Sequence, residues 1–101
     1  MPAFCLTPDA KASLMQIGLY TQQTWGKKQR RIYIKQMDDC FHKLAASPMQ
    51  GKARPDTYHD LRSFPVGRHI IYYMIRHDHI VIVNVLHERM DPVQHIIQED
   101  A

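Results

Sequence analysis

The stretch DLRSFPVGRHIIYYMIRHDHIVIVNVLHERMD, residues 60–91, decides the fold. It holds three runs rich in Ile, Val, Tyr and Phe: Asp60 to Phe64, His69 to Arg76 and Ile80 to His87. β-Branched and aromatic residues at this density favour strands. Pro65-Val66-Gly67 and His77-Asp78-His79 supply two reversals, so the runs form an antiparallel meander. The last run is apolar at successive positions, as expected of a central strand covered on both faces. By alternation His87 continues the face of Val81, Val83 and Val85. It is therefore expected to point toward packed side chains and not into an open cleft.

Working outward, Met49 to His59 contains Gly51, Pro55 and several polar residues and reads as a loop. Before it, Tyr33, Met37, Cys40, Phe41 and Leu44 form an apolar stripe on a helix from about Lys28 to Ala46, which Ser47-Pro48 ends. An earlier helix starts at Pro8, where Thr7 is the N-cap, Pro8 takes the first helical position and Asp9 the first turn. Ala10, Leu14, Ile17 and Thr21 fall at helical spacing along it, and Gly26 caps its end. A link that short forces the two helices into an antiparallel hairpin. A strand near residues 3–6 precedes them, and Asp91-Pro92 opens a short C-terminal helix carrying Val93, Ile96 and Ile97. The expected class is α+β: an N-terminal strand, a helical hairpin packed on a small, mostly antiparallel sheet, and a short final helix, in one domain over residues 1–101.

Composition agrees with a globular chain. The 101 residues are 45% hydrophobic and 23% charged, with thirteen basic and ten acidic side chains for a net charge of +3 and a pI near 9.0. That mild excess suits an acidic protein partner or weak nucleic-acid attraction, and many globular domains carry as much. No window approaches the run of about 20 apolar residues that a membrane span needs. Without a signal-peptide pattern ahead of the first strand, a cytoplasmic setting is expected, with Cys5 and Cys40 as small buried apolar residues.

Cationic and hydrogen-bonding residues concentrate in the strand half: Arg62, Arg68, His69, Tyr72, Tyr73, Arg76, His87 and Arg89. Arg suits phosphate or carboxylate, and His can move protons near neutral pH. The plainer alternative is solvated edge charges and half-buried tyrosines. His77 and His79 sit across a tight turn without a fuller ligand set, so no metal is expected, nor any cofactor. Lys27-Lys28-Gln29-Arg30-Arg31 places positive charge at a helix start, against the helix dipole.

Several motifs together resemble the ParE/RelE toxin superfamily, and its ParE branch most. They are Leu6-Thr7-Pro8-x-Ala10, Trp25-Gly26 with Gln29 and Tyr33, Leu44-Ala45-x-x-Pro48-x-x-Gly51-Lys52-x-Arg54, Leu61-Arg62-Ser63-Phe64, Ile71-Tyr72-Tyr73, and Val85-Leu86-His87-x-Arg89-Met90-Asp91. The resemblance implies a type II toxin neutralised by a cognate, ParD-like antitoxin and acting on DNA gyrase without chemistry of its own. It implies no membrane association and no direct nucleic-acid binding. Arg62, Arg68, His87 and Arg89 become candidates for target contact, and Leu14, Tyr20, Arg30, Tyr33 and Met37 for antitoxin contact. The alternative is a RelE-like, ribosome-dependent mRNA endonuclease using Arg62, Arg68, His87 and Glu88. Arg30 stands where the family usually has a small residue; relative to RelE-type enzymes, no lysine follows Lys52 and the terminal tyrosine of many ribonuclease members is missing.

Overall fold

A computed structural model describes residues 3–96. The chain runs through β1 (Phe4–Leu6), α1 (Pro8–Trp25), α2 (Lys27–Ala46), a 3-10 turn (Pro48–Gln50), β2 (Lys52–Ala53), β3 (Leu61–Val66), β4 (His69–Ile75), β5 (Ile80–His87) and α3 (Pro92–His95). The strands form one sheet in the order β1-β5-β4-β3-β2, antiparallel except for β1 beside β5. The α+β class, the hairpin and the meander are as expected. Ile97 lies outside the described residues.

Capping explains how the helices start and stop. The Thr7 hydroxyl accepts from the Ala10 N–H at 3.0 Å and donates to the Val83 carbonyl at 2.7 Å, so one side chain starts α1 and ties it to β5. Gly26, at φ 97° and ψ 169°, serves both helices. Its N–H closes α1 on the Gln22 carbonyl and its own carbonyl accepts from the Arg30 N–H in α2. That backbone region belongs almost to glycine alone.

The hairpin covers one face of the sheet. Ala10, Ile17, Met37, Phe41 and Leu44 from the helices meet Val66, Ile71, Tyr73, Ile80, Ile82 and Val85 from the strands. On the opposite face Leu61, Tyr72, Met74, Val83 and Leu86 pack with Ile96, just beyond α3. β5 is buried on both faces as expected, although β4 occupies the middle of the sheet.

Several expectations are corrected. The presumed loop after α2 contains the 3-10 turn and β2, a two-residue edge strand too short to show periodicity. Pro65 and Val66 belong to β3, and the reversal is the Gly67-Arg68 pair alone. Proline is tolerated there because β2 pairs only with Arg62 and Ser63, leaving Pro65 at an open edge. Cys5 is exposed and Cys40 half-buried, both as free thiols, because β1 turns Phe4 and Leu6 toward the helices and Cys5 away. Met37 is 0% exposed, since the apolar stripe of α2 faces the sheet, and it offers no surface to a partner.

The most consequential correction concerns β5. Tyr72 pairs with Asn84 and Tyr73 with Ile82, so Val83 is an extra residue in a β-bulge. A bulge shifts the side-chain phase by one position. Before it Ile80 and Ile82 face the helices and Val83 faces away; after it Val85 faces the helices and Leu86 faces away. His87 shares the side of Val85 but not that of Val81 and Val83. Asn84 holds the irregular backbone: its Oδ1 accepts from Ser13 Oγ at 2.6 Å and from the Val85 N–H at 2.8 Å, and its Nδ2 donates to the His95 carbonyl at 3.2 Å.

Candidate functional site

Where β5 ends on the hairpin's side, the turn end of the hairpin and the β3–β4 turn enclose a groove of about 710 Å³. Tyr20, Thr21 and Trp25 of α1 and Gln29 and Tyr33 of α2 line one wall; Gly67, Arg68, His69, His87 and Arg89 line the other. Tyr20 and Trp25 are 65% and 70% exposed, large for aromatic side chains. The half-buried His87 thus opens onto a groove, contrary to the expectation from simple alternation.

Tyr33 organises the floor. Its hydroxyl stands 3.1 Å from the Val66 carbonyl and 2.7 Å from His69 Nδ1, and it accepts from the Arg68 N–H at 3.2 Å. Gly67, at φ 58°, leaves room for it: a Cβ there would lie 2.5 Å from the Tyr33 hydroxyl oxygen. The His69 and His87 rings meet edge to face at 5.4 Å. His87 Nδ1 accepts from the Arg89 N–H at 3.1 Å, which leaves Nε2 to carry the hydrogen of the neutral ring. Burial raises the Tyr33 hydroxyl above its usual range.

Burial, and then the neighbouring His87, lowers His69 below the ordinary histidine range, with Glu88 opposing. The unfolded chain takes up a proton on this residue near the ordinary value while the folded chain does not. The unfolded state then holds more protons, so stability present above about pH 6.5 is lost as pH falls toward the depressed folded value. A His69→Gln variant should show a smaller drop in melting midpoint than the parent between about pH 7.5 and 5.5. Equal drops would place the titration on another group.

Arg62 is not part of this groove. Its guanidinium donates to the Gly51 carbonyl at 2.7 Å and to the Met49 carbonyl at 3.2 Å, tying the 3-10 turn to β3. Arg68 lies 3.5 Å from Glu88 in an exposed ion pair. The structure therefore brings Arg68, His87 and Arg89 together and sets Arg62 apart. His69, which the sequence placed among the cationic residues, joins them. Trp25 and Gln29 were legible only as turn and helix-start residues, because nothing local reveals that the hairpin end overhangs the sheet.

The candidates for antitoxin contact are divided between two places. Tyr20 and Tyr33 line the groove just described. Leu14 and Arg30 line a second, shallower one along the outside of the hairpin, about 930 Å³, with Lys11, Met15, Lys27, Arg31 and Ile34. Arg30 donates to Gln22 Oε1 at 2.7 Å and lies against Gly18, where a Cβ would be 3.0 Å from its Nε. The glycine makes room for the unusual arginine. Among the described residues, no helix is long and apolar enough to cross a membrane.

Comparison with known proteins decides the family. Residues 5–92 match the family described as ParE toxin of type II toxin-antitoxin system, parDE. The chain belongs to the ParE toxin family. Toxin ParE of Escherichia coli is 34% identical over 92 residues, 90% of this chain and 89% of that protein. Toxin ParE1 of Mycobacterium tuberculosis is 30% identical over 89 residues, 87% of this chain and 91% of its own length. A solved structure described as the chromosomal ParDE TA system from P. aeruginosa superposes with a TM-score of 0.74 at 17% identity, covering 86% of this chain and 96% of that one. That last likeness concerns the fold alone. The chain is thus the toxin component of a type II toxin–antitoxin system, with an antitoxin as its partner.

Proposed function

We propose that this toxin acts in the cytoplasm by binding DNA gyrase and blocking replication, and that its antitoxin silences it from the outer hairpin groove. Family membership over residues 5–92 carries the reading. A binding role, as against catalysis, is supported by how the candidate side chains are engaged. Arg62 is held on backbone carbonyls, Glu88 faces Arg68, and His87 Nδ1 is occupied by the Arg89 N–H. Arg68, His87 and Arg89 are then contact residues for the target.

The outer groove has an apolar lining at Leu14, Met15 and Ile34 and a predominantly basic rim of Lys11, Lys27, Arg30, Arg31 and Lys35, with Asp38 the one acid among the lining residues. An amphipathic segment with acidic flanks complements it. Antitoxin long enough to round the hairpin end also meets Tyr20 and Tyr33. Met15→Asp should weaken antitoxin affinity at least tenfold, since it places a charge in an apolar contact, with little change in the toxin's own melting because Met15 is 60% exposed. Calorimetric titration checks this, and unchanged affinity would move the antitoxin elsewhere.

One observation favours a second reading, the ribosome-dependent mRNA endonuclease: two histidines and two arginines line one open groove. Purified gyrase should lose supercoiling activity when the toxin is added, while mRNA on ribosomes stays intact. Cleaved mRNA with unimpaired gyrase would reverse the choice.

A further inference from the structure

We propose that the groove at the hairpin end binds a nucleotide, its base against Trp25 and Tyr20 and its phosphate on Arg89 and Arg68. The inference goes beyond target identity and departs from the expectation that direct nucleic-acid contact is absent. It requires no cleavage step.

Size, surface and charge all point the same way. A groove of about 710 Å³ falls within the usual range for a small-molecule site. Two aromatic side chains in one groove, each more than half exposed, offer flat faces that the fold itself leaves uncovered. Bases stack on such faces with little regard to sequence. Every fixed charge among the lining residues is positive. Arg89 has no side-chain partner among the described residues, and its planar fork matches phosphate oxygens in pairs. Arg68 does have a competitor in Glu88, but both ends of that 3.5 Å pair reach solvent, Arg68 more than Glu88, so a phosphate can displace the carboxylate. Gln29 adds a hydrogen-bonding group on the aromatic wall. A nucleotide carries a π face and a dense negative charge within one short unit, which is the combination this groove complements.

Trp25 is the single tryptophan of the chain, so its fluorescence reports on this groove directly. The purified toxin would be titrated with adenosine monophosphate, with a short single-stranded DNA and with inorganic phosphate. Saturable quenching by the mononucleotide, the oligonucleotide or both is expected, and none by phosphate alone. Arg89→Ala should weaken binding about tenfold or more, the scale of one charge-assisted phosphate contact. Arg89 is exposed, so that variant should keep the parent's melting midpoint. Glu88→Gln should tighten binding several-fold by releasing Arg68. Tighter binding of the oligonucleotide identifies the ligand as a unit within a strand, and equal binding identifies a free nucleotide. The proposal is overturned by an absence of saturable quenching or by quenching that Arg89→Ala leaves unchanged. It is equally overturned if an acidic tyrosine-containing peptide binds more tightly than either nucleotide ligand. Gyrase supercoiling measured on the same preparations separates the two ideas: inhibition without quenching removes only the nucleotide site.

Discussion

Gly51→Ala is expected to destabilise the toxin by about 3 kcal/mol or more, lowering the melting midpoint by something on the order of 10–20 °C. The backbone at Gly51 is ordinary, at φ −75° and ψ 160°, so the cost is steric and not conformational. A Cβ there would stand 2.2 Å from the Tyr73 hydroxyl oxygen and 2.8 Å from its ring. Tyr73 cannot retreat, because it is 0% exposed in the core beneath the hairpin. Its hydroxyl donates to the Pro48 carbonyl at 2.6 Å and accepts from the Gly51 N–H at 3.0 Å, joining the 3-10 turn to the centre of the sheet. Tyr73→Phe should cost less, about 1–3 kcal/mol, by leaving those two backbone groups unpaired. It should not rescue Gly51→Ala, because the ring atoms remain in the way. Thermal or urea unfolding of the two single variants and the double variant checks all three statements. A Gly51→Ala protein that melts with the parent would show that the turn can lift from Tyr73 freely.

Met37→Ala is expected to cost about 2–5 kcal/mol, the range for emptying a fully buried site of this size. Met37 lies where α2 meets the sheet, among Phe41, Leu44 and the strand residues of the main core. Its effect on antitoxin binding should be indirect, appearing only as the folded fraction falls. At a temperature where the variant is fully folded, its antitoxin affinity should match the parent within a few-fold. Met15→Asp predicts the opposite pattern, with weakened affinity and little change in melting. Binding titration alongside unfolding separates the two residues, and a large affinity loss in folded Met37→Ala would mean that the antitoxin opens the core to reach it.

Met37 also marks where periodicity stops being informative. Helical spacing identifies an apolar stripe, but not whether it meets the sheet or a partner, because both reward the same side chains. The elements themselves were legible because their causes are local. Thr7-Pro8-Asp9 starts α1 through a side-chain cap and a fixed φ, Gly26 ends it in a conformation nearly closed to other residues, and β-branched runs mark β4 and β5. β2 was not legible, since two residues carry no period, and Pro65 disguised the end of β3.

The sequence alone determined the order of strand, hairpin, meander and final helix, together with the motifs that mark the ParE family, because capping, turn chemistry and alternation act over a few neighbouring residues. Only the tertiary structure decided the groove. Trp25 and Arg89 stand 64 positions apart in the chain and share its lining. The decisive step is the bulge at Val83, where the Asn84 side chain holds an extra residue that the ladder to β4 leaves unpaired. That one residue turns His87 onto the hairpin's side of the sheet, and the bulge depends on Ser13 and His95, contacts that exist only once the chain has folded.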